Sequence, residues 1–379
     1  MRITGRTNNV NIDEMLRVMV EKGASDLHLR VPSSPIIRID GHLMPLDGLT
    51  AITPQDMREA LENITTETQR ETFHEELELD LAYSIHGLAR FRVNASLQRG
   101  TINLAFRKIP VQIPTIDELG LPDVCKTLVL KPKGLVLVTG PTGSGKSTTL
   151  AAMIDHLNKN ETRNVITIED PIEYLHSNDK CIIAQRELGD DTKSFASALK
   201  HVLRQDPDVI LVGEMRDLES IATAVTAAET GHLVLSTLHT PNAPQTIDRI
   251  IDVFPPHQQT QIRTQLALAR EGVLSQILLP KANGGGRVAV FEVMLATDAI
   301  RNLIREGKSE QIPTYIQTSG QYGMNTMDQH LDDLSRSGVI TWEEASVRTN
   351  RSYKHPAEVD RQSASLGGPS VKYRGFEKR

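Results

Sequence analysis

One segment of the chain has residue types and spacing suited to binding phosphate groups. Residues 140–147 follow the pattern G-x-x-x-x-G-K-[ST], with an apolar run at 135–139 before them and a helix-like stretch after them. In this context the glycines let backbone N–H groups point at phosphate oxygens, and the helix N-terminus adds partial positive charge. Lys146 is expected to reach the β- and γ-phosphates, and the Ser147 hydroxyl to bind Mg²⁺. The segment predicts a nucleoside triphosphate site formed by Gly140, Pro141, Thr142, Gly143, Ser144, Gly145, Lys146, Ser147 and Thr148.

Acidic side chains at the ends of two further apolar runs are candidates for the rest of a hydrolytic site. Hydrolysis at such a loop needs an acid near the metal and a residue that positions the attacking water. The apolar run at 209–212 leads through a glycine to Glu214, and several acids cluster over residues 167–173. Because an acid after a strand is often only a helix cap, each pattern is informative mainly together with the phosphate-binding loop.

Two histidines flank a third apolar run. His232 precedes residues 233–238 and His239 follows them. A histidine in such a position can be a structural hydrogen-bond partner, and a polar residue at a strand end can equally sense the γ-phosphate. The sequence leaves both interpretations open.

The elements that must position these residues alternate along the chain. Between residues 135 and 238 apolar, strand-like runs are followed by helical stretches, which is typical of a parallel sheet wrapped by helices. Beyond residue 255 the pattern indicates mainly helices. We therefore predict an α/β nucleotide-binding domain over residues 121–350 with a helical C-terminal part.

A region of different rhythm precedes this domain. Asn11 is a good N-cap for a first helix that Gly23 ends, and short strand-like stretches surround a helical stretch at 53–75. This mixture predicts a small α+β domain over residues 1–107, joined to the next domain by a proline-marked linker at 108–120. The basic segment 351–379, rich in Gly, Ser and Pro, is expected to be disordered.

The composition of the 379 residues limits the classes of function. Lys and Arg number 42 against 48 Asp and Glu, a formal net charge of −6, so the surface as a whole is not suited to coating nucleic acid. The two cysteines, Cys125 and Cys181, are too few for a disulfide framework or a four-cysteine zinc site. Every apolar run is far shorter than the roughly 20 residues of a membrane span. We therefore expect a soluble protein whose contact with membranes is peripheral.

Taken together, these motifs resemble those of the secretion ATPases, and among them the retraction ATPases of type IV pili. The resemblance extends from the segment at 23–29 to about Met327, most of the chain. Its most specific piece is AIRNLIRE at 299–306, which is similar to the signature of retraction ATPases. The same string also has the apolar face of an ordinary amphipathic helix. Four further segments are similar to named boxes of the family: Walker A at 140–147, the Asp box at 167–173, an atypical Walker B at 209–217 and the His box at 231–240.

The resemblance implies a role for each matching residue. Glu169 would orient the attacking water, Glu214 would be an acid of the Mg²⁺ site, and His232 and His239 would sense the nucleotide. Arginines of the N-terminal domain would approach the phosphates, and the candidates are Arg90, Arg92 and Arg107. Polar residues of the signature string would couple hydrolysis to pilus retraction: Arg301, Asn302, Arg305 and Glu306.

The resemblance also implies the architecture and the partners. A PAS-like N-terminal domain would precede a RecA-like core, and six chains would form a ring that binds ATP and Mg²⁺ between domains. The ring would act on the inner-membrane platform protein of the pilus machine, at the cytoplasmic face of the inner membrane. An accessory retraction ATPase is a further possible partner, and no nucleic acid is expected.

Three alternatives remain at this point. Extension and type II secretion ATPases share the boxes but usually carry four cysteines in the C-terminal domain, and this chain has two in all. An accessory retraction ATPase is closer, although the string at 299–306 favours the main motor. A RecA-like nucleic-acid motor shares the core and the ring, but it needs a basic groove and often stacking aromatics. Aromatic residues make up only 4% of the chain, which disfavours that class.

Overall fold

The computed structural model describes residues 11–39, 41–46, 49–110 and 112–349. The chain divides into two compact units, one reaching Pro114 and resuming over Asn158–Pro207, the other formed by Thr115–Leu157 and the chain from Asp208 onward. The domain boundaries given above stay a prediction, and the segment 351–379 lies outside the described residues. Within the described ranges, no helix combines the length and apolar character needed to cross a bilayer.

Helices and strands follow one another throughout the described chain. The first fourteen are α1 (Ile12–Glu21), β1 (Asp26–Leu29), β2 (Ile36–Ile39), β3 (His42–Pro45), α2 (Pro54–Ile64), α3 (Glu67–Glu76), β4 (Glu78–Ile85), β5 (Ala89–Gln98), β6 (Thr101–Lys108), α4 (Val124–Val129), β7 (Gly134–Thr139), α5 (Lys146–Asn160), β8 (Asn164–Glu169) and β9 (Ile182–Glu187). They are followed by α6 (Phe195–Val202), β10 (Val209–Val212), α7 (Leu218–Thr230), β11 (Leu233–Leu238), α8 (Ala243–Asp252), α9 (Pro256–Ala269), β12 (Arg270–Pro280), β13 (Arg287–Leu295), α10 (Asp298–Glu306), α11 (Ile312–Thr318), α12 (Met327–Arg336) and α13 (Trp342–Arg348). Single 3₁₀ turns occur at Ser309–Gln311 and Gly320–Tyr322.

The first unit contains an antiparallel sheet with strand order β3-β2-β1-β6-β5-β4. Buried and exposed residues alternate along β5, where Phe91 and Val93 are buried and Arg92 between them is exposed. This alternation is expected for a sheet with one face on a core and one face toward water. Side chains of α1 and α2, such as Leu16 and Met57, belong to the same core as Phe91. The predicted α+β character of this region is therefore confirmed.

The helical stretch predicted at 53–75 is two helices, not one. α2 ends at Ile64, and Thr66 begins α3 as its N-cap. The Thr66 side chain accepts a hydrogen bond from Gln69 N, while the Gln69 side chain accepts one from Thr66 N. This reciprocal capping box gives hydrogen-bond partners to backbone N–H groups at the start of α3, and it thereby stabilises the break between the two helices.

Two further strands and a helix complete the first unit. β8 and β9 pair in parallel, with Glu169 opposite Glu187 at one end of the pair. The helix α6 begins at the N-cap Ser194, whose hydroxyl accepts a hydrogen bond from Ser197 N. β9 and α6 were not predicted from the sequence, because β9 has only three apolar residues, followed by three polar ones.

The second unit contains five strands in the order β13-β12-β7-β11-β10. β12, β7, β11 and β10 are parallel, and every residue of β7 and of β11 is buried. Continuous apolar strands of this kind are typical of a parallel sheet covered on both faces. The predicted α/β core with a parallel sheet is therefore confirmed. Because parallel strands end at a common edge, the segments that follow β7, β10 and β11 leave the sheet on the same side.

The prediction that the chain beyond residue 255 is mainly helical is wrong for residues 270–295. These residues form the antiparallel hairpin β12–β13, and β12 joins the main sheet next to β7. The pattern misled because α9 ends at Ala269 and β12 begins at Arg270, with no turn residue between them to mark the change. Helices α10 to α13 follow the hairpin, as the pattern indicated for that part.

Candidate functional site

The phosphate-binding loop lies between β7 and α5, as its pattern predicts. β7 ends at Thr139 and α5 begins at Lys146. Gly140 has a φ of +140°, and a Cβ at this position would collide with the backbone carbonyl oxygen of Gln276. Only glycine fits both the backbone conformation and the close approach of β12. The exposed stretch 141–143 leaves the loop accessible from solvent.

Lys146 and Ser147 occupy the first turn of α5. The Lys146 Nζ donates hydrogen bonds to the carbonyl oxygens of Gly140, at 2.9 Å, and of Pro141, at 3.1 Å. The ammonium group is thereby folded back over the loop to which the phosphates would bind. Ser147 is exposed at the helix N-terminus, where unpaired N–H groups favour anions.

Strand β12 supports this loop through residues that sequence reasoning missed. Gln276 is 1% exposed, and its side-chain amide hydrogen-bonds to Ser144 in the loop and to Thr149 in α5. In the preceding position, Ser275 Oγ accepts a hydrogen bond from Thr139 Oγ1 at 2.9 Å. In the sequence, Ser275 and Gln276 are marked by being a polar pair between apolar neighbours on both sides. If such a segment is a buried strand, its polar side chains need hydrogen-bond partners.

Glu214 lies two residues beyond the end of β10, at the edge of the sheet where the phosphate-binding loop leaves β7. Its Oε2 accepts a hydrogen bond from Arg216 at 2.8 Å and lies 3.3 Å from Nε2 of His239. Burial raises the pKa of Glu214, but the hydrogen bond from Arg216 and the charges of His239 and Arg216 outweigh it and hold the pKa below its usual range. Glu214 is therefore an ionised carboxylate at neutral pH. The next acid, Asp217, is the N-cap of α7 and accepts a hydrogen bond from Ser220 N.

The two candidate histidines lie at opposite ends of β11. His239 follows the strand on the side of the phosphate-binding loop, beside Gly140, whose N–H bonds to the carbonyl oxygen of Leu238. His232 precedes the strand, and its Nδ1 lies 3.1 Å from the carbonyl oxygen of Ala227. The six residues of β11 separate the Cα atoms of the two histidines by about 23 Å. Within one chain only His239 is near Glu214, and the sensing role of the pair stays a prediction.

Glu169 is the last residue of β8, in the first unit. Its Oε1 accepts hydrogen bonds from Thr167 Oγ1, at 2.7 Å, and from Gln185 Nε2, at 3.1 Å. Burial raises the pKa of Glu169, and the nearby carboxylate of Glu173 adds to the effect, while the hydrogen bonds from Thr167 and Gln185 oppose it. The structure thus holds Glu169 in a fixed orientation with an enhanced affinity for protons. Gln185, which β9 places opposite Thr167, was missed because β9 was not predicted.

The three candidate arginines lie on β5 and β6 of the first unit. Arg92 and Arg107 are directly opposite in register. Each arginine has an acidic partner: Arg90 bonds to Glu187 at 2.9 Å, Arg107 to Asp26 at 2.8 Å, and Arg92 lies 4.0 Å from Asp80. The side chains differ in accessibility, with Arg107 71% exposed, Arg92 45% and Arg90 23%. Arg92 and Arg107 therefore offer a pair of accessible guanidinium groups on one face of the sheet.

The signature string 299–306 lies within α10. Ile300, Leu303 and Ile304 are buried, as the amphipathic pattern predicts. Arg301 donates hydrogen bonds to the carbonyl oxygens of Ala267 and Leu268 at the end of α9, and it pairs with Glu271 in β12. By contrast Asn302, Arg305 and Glu306 are exposed. Arg301 thus anchors α10 to its neighbours, whereas the other three residues present polar groups to solvent.

Comparison with known proteins places these motifs in a family. A model of the family described as "Type II/IV secretion system protein" matches residues 8–284. The chain is 49% identical to the type IV pilus retraction ATPase PilT of Pseudomonas aeruginosa over 89% of this chain and 97% of that protein. It is 45% identical to the type IV pilus ATPase PilU of the same organism over 89% of this chain and 88% of that protein. A crystal structure of the pilus retraction motor PilT with bound ADP covers 93% of this chain and all of its own, with 46% identity and a TM-score of 0.85.

Proposed function

The chain belongs to the type II/IV secretion system family, and we infer that it is an ATPase that powers the retraction of type IV pili. The observation that carries this conclusion is the similarity to a retraction ATPase along nearly the whole of both chains. The strand–loop–helix around Lys146 agrees with it, since this arrangement binds the phosphates of nucleotides throughout P-loop enzymes. The intact string at 299–306 agrees with it as well.

The second unit supplies the groups for nucleotide binding. Loop amides and the N-terminus of α5 would bind the β- and γ-phosphates, and Lys146 would exchange its contacts with the carbonyl oxygens of Gly140 and Pro141 for phosphate oxygens. The Ser147 hydroxyl and the ionised carboxylate of Glu214 are hard oxygen donors of the kind that Mg²⁺ prefers. When bound with ATP, this ion would neutralise charge on the phosphates.

The first unit supplies the candidate base and the arginines. Glu169 would orient the attacking water and accept its proton, and its raised pKa makes the carboxylate a stronger acceptor. Arg92 and Arg107, with Arg90, would stabilise the charge that develops on the γ-phosphate. An arginine from another domain couples hydrolysis to domain movement, because the site is complete only when the domains close.

For the assembly we propose a homohexameric ring at the cytoplasmic face of the inner membrane. Closure of each nucleotide site and its reopening on product release would turn the membrane platform protein of the pilus machine. Asn302, Arg305 and Glu306 are exposed on α10 and are suited to contact that platform. Arg301 would act in coupling by holding α10 in place.

An accessory role in retraction is the second candidate. The observation in its favour is the 45% identity to PilU, which covers the same share of this chain as the similarity to PilT. A main motor is needed for retraction by itself, whereas an accessory motor works beside another ATPase.

One experiment in cells separates these functions. Lys146→Ala is expected to leave abundant surface pili that no longer retract, because the motor cannot turn over nucleotide. Lys200→Ala, which replaces an exposed lysine of α6, is the matched control and is expected to retract normally. Loss of pili in the Lys146 variant would identify an extension motor and overturn the proposal. Unchanged retraction would assign the main role to another ATPase and leave this chain the accessory one.

A further inference from the structure

Gln276 is a buried polar residue in contact with the phosphate-binding loop. It belongs to β12, and its side chain is almost completely shielded from water. Nε2 donates a hydrogen bond to the carbonyl oxygen of Ser144 at 2.6 Å, and Oε1 accepts one from Thr149 Oγ1 at 2.9 Å. The carbonyl oxygen of Ser144 can only accept, so the orientation of the amide is fixed by its partners.

These two hydrogen bonds enclose the residues proposed to bind phosphate. Ser144 precedes Lys146 and Ser147 in the chain, and Thr149 follows them. One side chain therefore ties both ends of the segment 144–149 to the neighbouring strand. Because two partners hold the Gln276 side chain in one position, that side chain in turn restricts the directions in which the backbone N–H groups of residues 144–149 point.

The same strand limits the rest of the loop. The backbone carbonyl oxygen of Gln276 lies against Gly140, and Ser275 bonds to Thr139 in the residue pair that the β7–β12 register places opposite. At the other end of the segment, a Cβ on Gly145 would touch the Gln276 amide and Leu278. The loop thus meets β12 at its beginning, middle and end, and the Gln276 side chain supplies the hydrogen bonds to Ser144 and Thr149.

We propose that Gln276 is a positioning residue that holds the phosphate-binding loop in the conformation that receives the phosphates of ATP and ADP. This inference rests on the proposed ATPase function and adds a residue outside the sequence motifs. Gln276 itself does not touch the nucleotide; it acts through the loop amides and the first turn of α5. Its loss should therefore weaken nucleotide binding in the folded protein, which a role in stability alone would not do.

The test is ADP binding by calorimetry to the purified full-length protein, with Gln276→Met as the main variant. Methionine keeps the length of the side chain but makes neither hydrogen bond, and we expect about tenfold weaker ADP binding, as loss of buried hydrogen bonds near the site commonly gives. Gln265→Met is the matched control, because it removes a glutamine hydrogen bond to Glu229 in another part of the same unit. It should bind ADP as the wild type does.

A second pair of variants keeps the test decisive if Gln276→Met fails to fold. Thr149→Val removes only the bond to Oε1 and should weaken ADP binding by a smaller factor, while Thr149→Ser retains the hydroxyl and should restore it. Wild-type ADP affinity in a folded Gln276→Met variant, or in Thr149→Val, overturns the inference. Absence of ADP binding by the wild type would instead count against the proposed function and is distinguishable from these results.

Discussion

Glu169 combines a raised pKa with a fixed orientation, and both properties come from its immediate neighbours. Burial favours the neutral acid, while Thr167 and Gln185 donate hydrogen bonds that favour the carboxylate. The balance lies on the side of burial, so the group binds protons more tightly than an ordinary glutamate. A proton acceptor of this kind is suited to activating water, provided that the pH lies above its pKa.

Replacing Glu169 should separate nucleotide binding from hydrolysis. Glu169→Gln keeps the shape and the contact with Thr167 but cannot accept a proton, so we expect ATP binding to persist while turnover falls by about 100-fold or more. Glu161→Gln is the matched control, since Glu161 is an exposed acid just beyond α5 and outside the site motifs. Both are checked by steady-state ATPase assays and by ATP binding. Turnover in Glu169→Gln equal to that in Glu161→Gln would contradict the assignment of the base.

The pH profile of the same reaction gives a check that does not depend on removing the base. Activity should fall as the pH drops through the raised pKa of Glu169, because the protonated acid cannot accept a proton. Gln185→Met removes a donor that lowers this pKa, so the acid limb of kcat/KM should move to higher pH. An acid limb in the same place as in the wild type would mean that another group controls it.

The site residues that the sequence predicts all belong to continuous motifs, and the residues that support them could not be predicted. Lys146 and Ser147 follow from a pattern of eight neighbouring positions. Gln276, by contrast, meets Thr149 across 127 residues of chain, and Gln185 meets Glu169 through a strand that carries no clear pattern. Such contacts depend on which strands become neighbours in the sheet, and a single sequence does not specify that.

At the scale of elements, the sequence predicted those with a strong local signal. β11 has the same bounds as its apolar run, and α1 has the cap and the buried face that its sequence indicates. The break between α2 and α3 was missed because Thr65 and Thr66 interrupt an otherwise continuous helical pattern by capping alone. β12 was missed because it begins directly after α9, with no turn residue to mark the change.

The structure distinguishes two arginines of α10 that the sequence treats alike. Arg301 is 22% exposed and bonds to carbonyl oxygens at the end of α9, whereas Arg305 is exposed and bonds to Asn302 in its own helix. We expect Arg301→Ala to lower the free energy of unfolding by about 2 kcal/mol, because hydrogen bonds from a charged group are lost. Arg305→Ala should change it by less than about 0.5 kcal/mol, as usual for a surface substitution. Urea unfolding followed by circular dichroism measures both.

This difference decides which variant tests coupling. Arg305→Ala should abolish pilus retraction while ATPase activity stays near the wild-type level, since the helix keeps its position. If the two variants lost equal stability, the anchoring role of Arg301 would be wrong. If Arg305→Ala retracted pili normally, the exposed face of α10 would have no part in coupling.

At the scale of the whole molecule, the groups proposed to act in hydrolysis are divided between the two units. The phosphate-binding loop, Glu214 and His239 belong to the second unit, and Glu169 belongs to the first with the candidate arginines. A ring in which one chain supplies the arginine to the nucleotide of its neighbour would make each site depend on two chains. The rate of hydrolysis would then depend on contact between neighbouring chains, because closure would complete the site.

Mixed rings test whether the arginine acts between chains. Arg92 is the suitable choice, because replacing Arg90 would remove the only positive charge that the structure shows paired with the buried carboxylate of Glu187 in the described residues, and would destabilise the first unit. Rings of Arg92→Ala alone, or of Lys146→Ala alone, should be nearly inactive. Co-expressed and purified through separate tags, the two variants should regain activity, since an intact loop from one chain would meet an intact arginine from the other.

The reason for this recovery also defines its controls. If the arginine instead acts in the site of its own chain, every chain in the mixture has one defect in its own site and mixing restores no activity. Inactive mixed rings would therefore refute action between chains. Rings of Arg58→Ala, which replaces an exposed arginine of α2, should be fully active and should not gain from mixing. Recovery confined to the mixture of loop and arginine variants would locate each hydrolytic site at the boundary between two chains, where closure of one site can move the next.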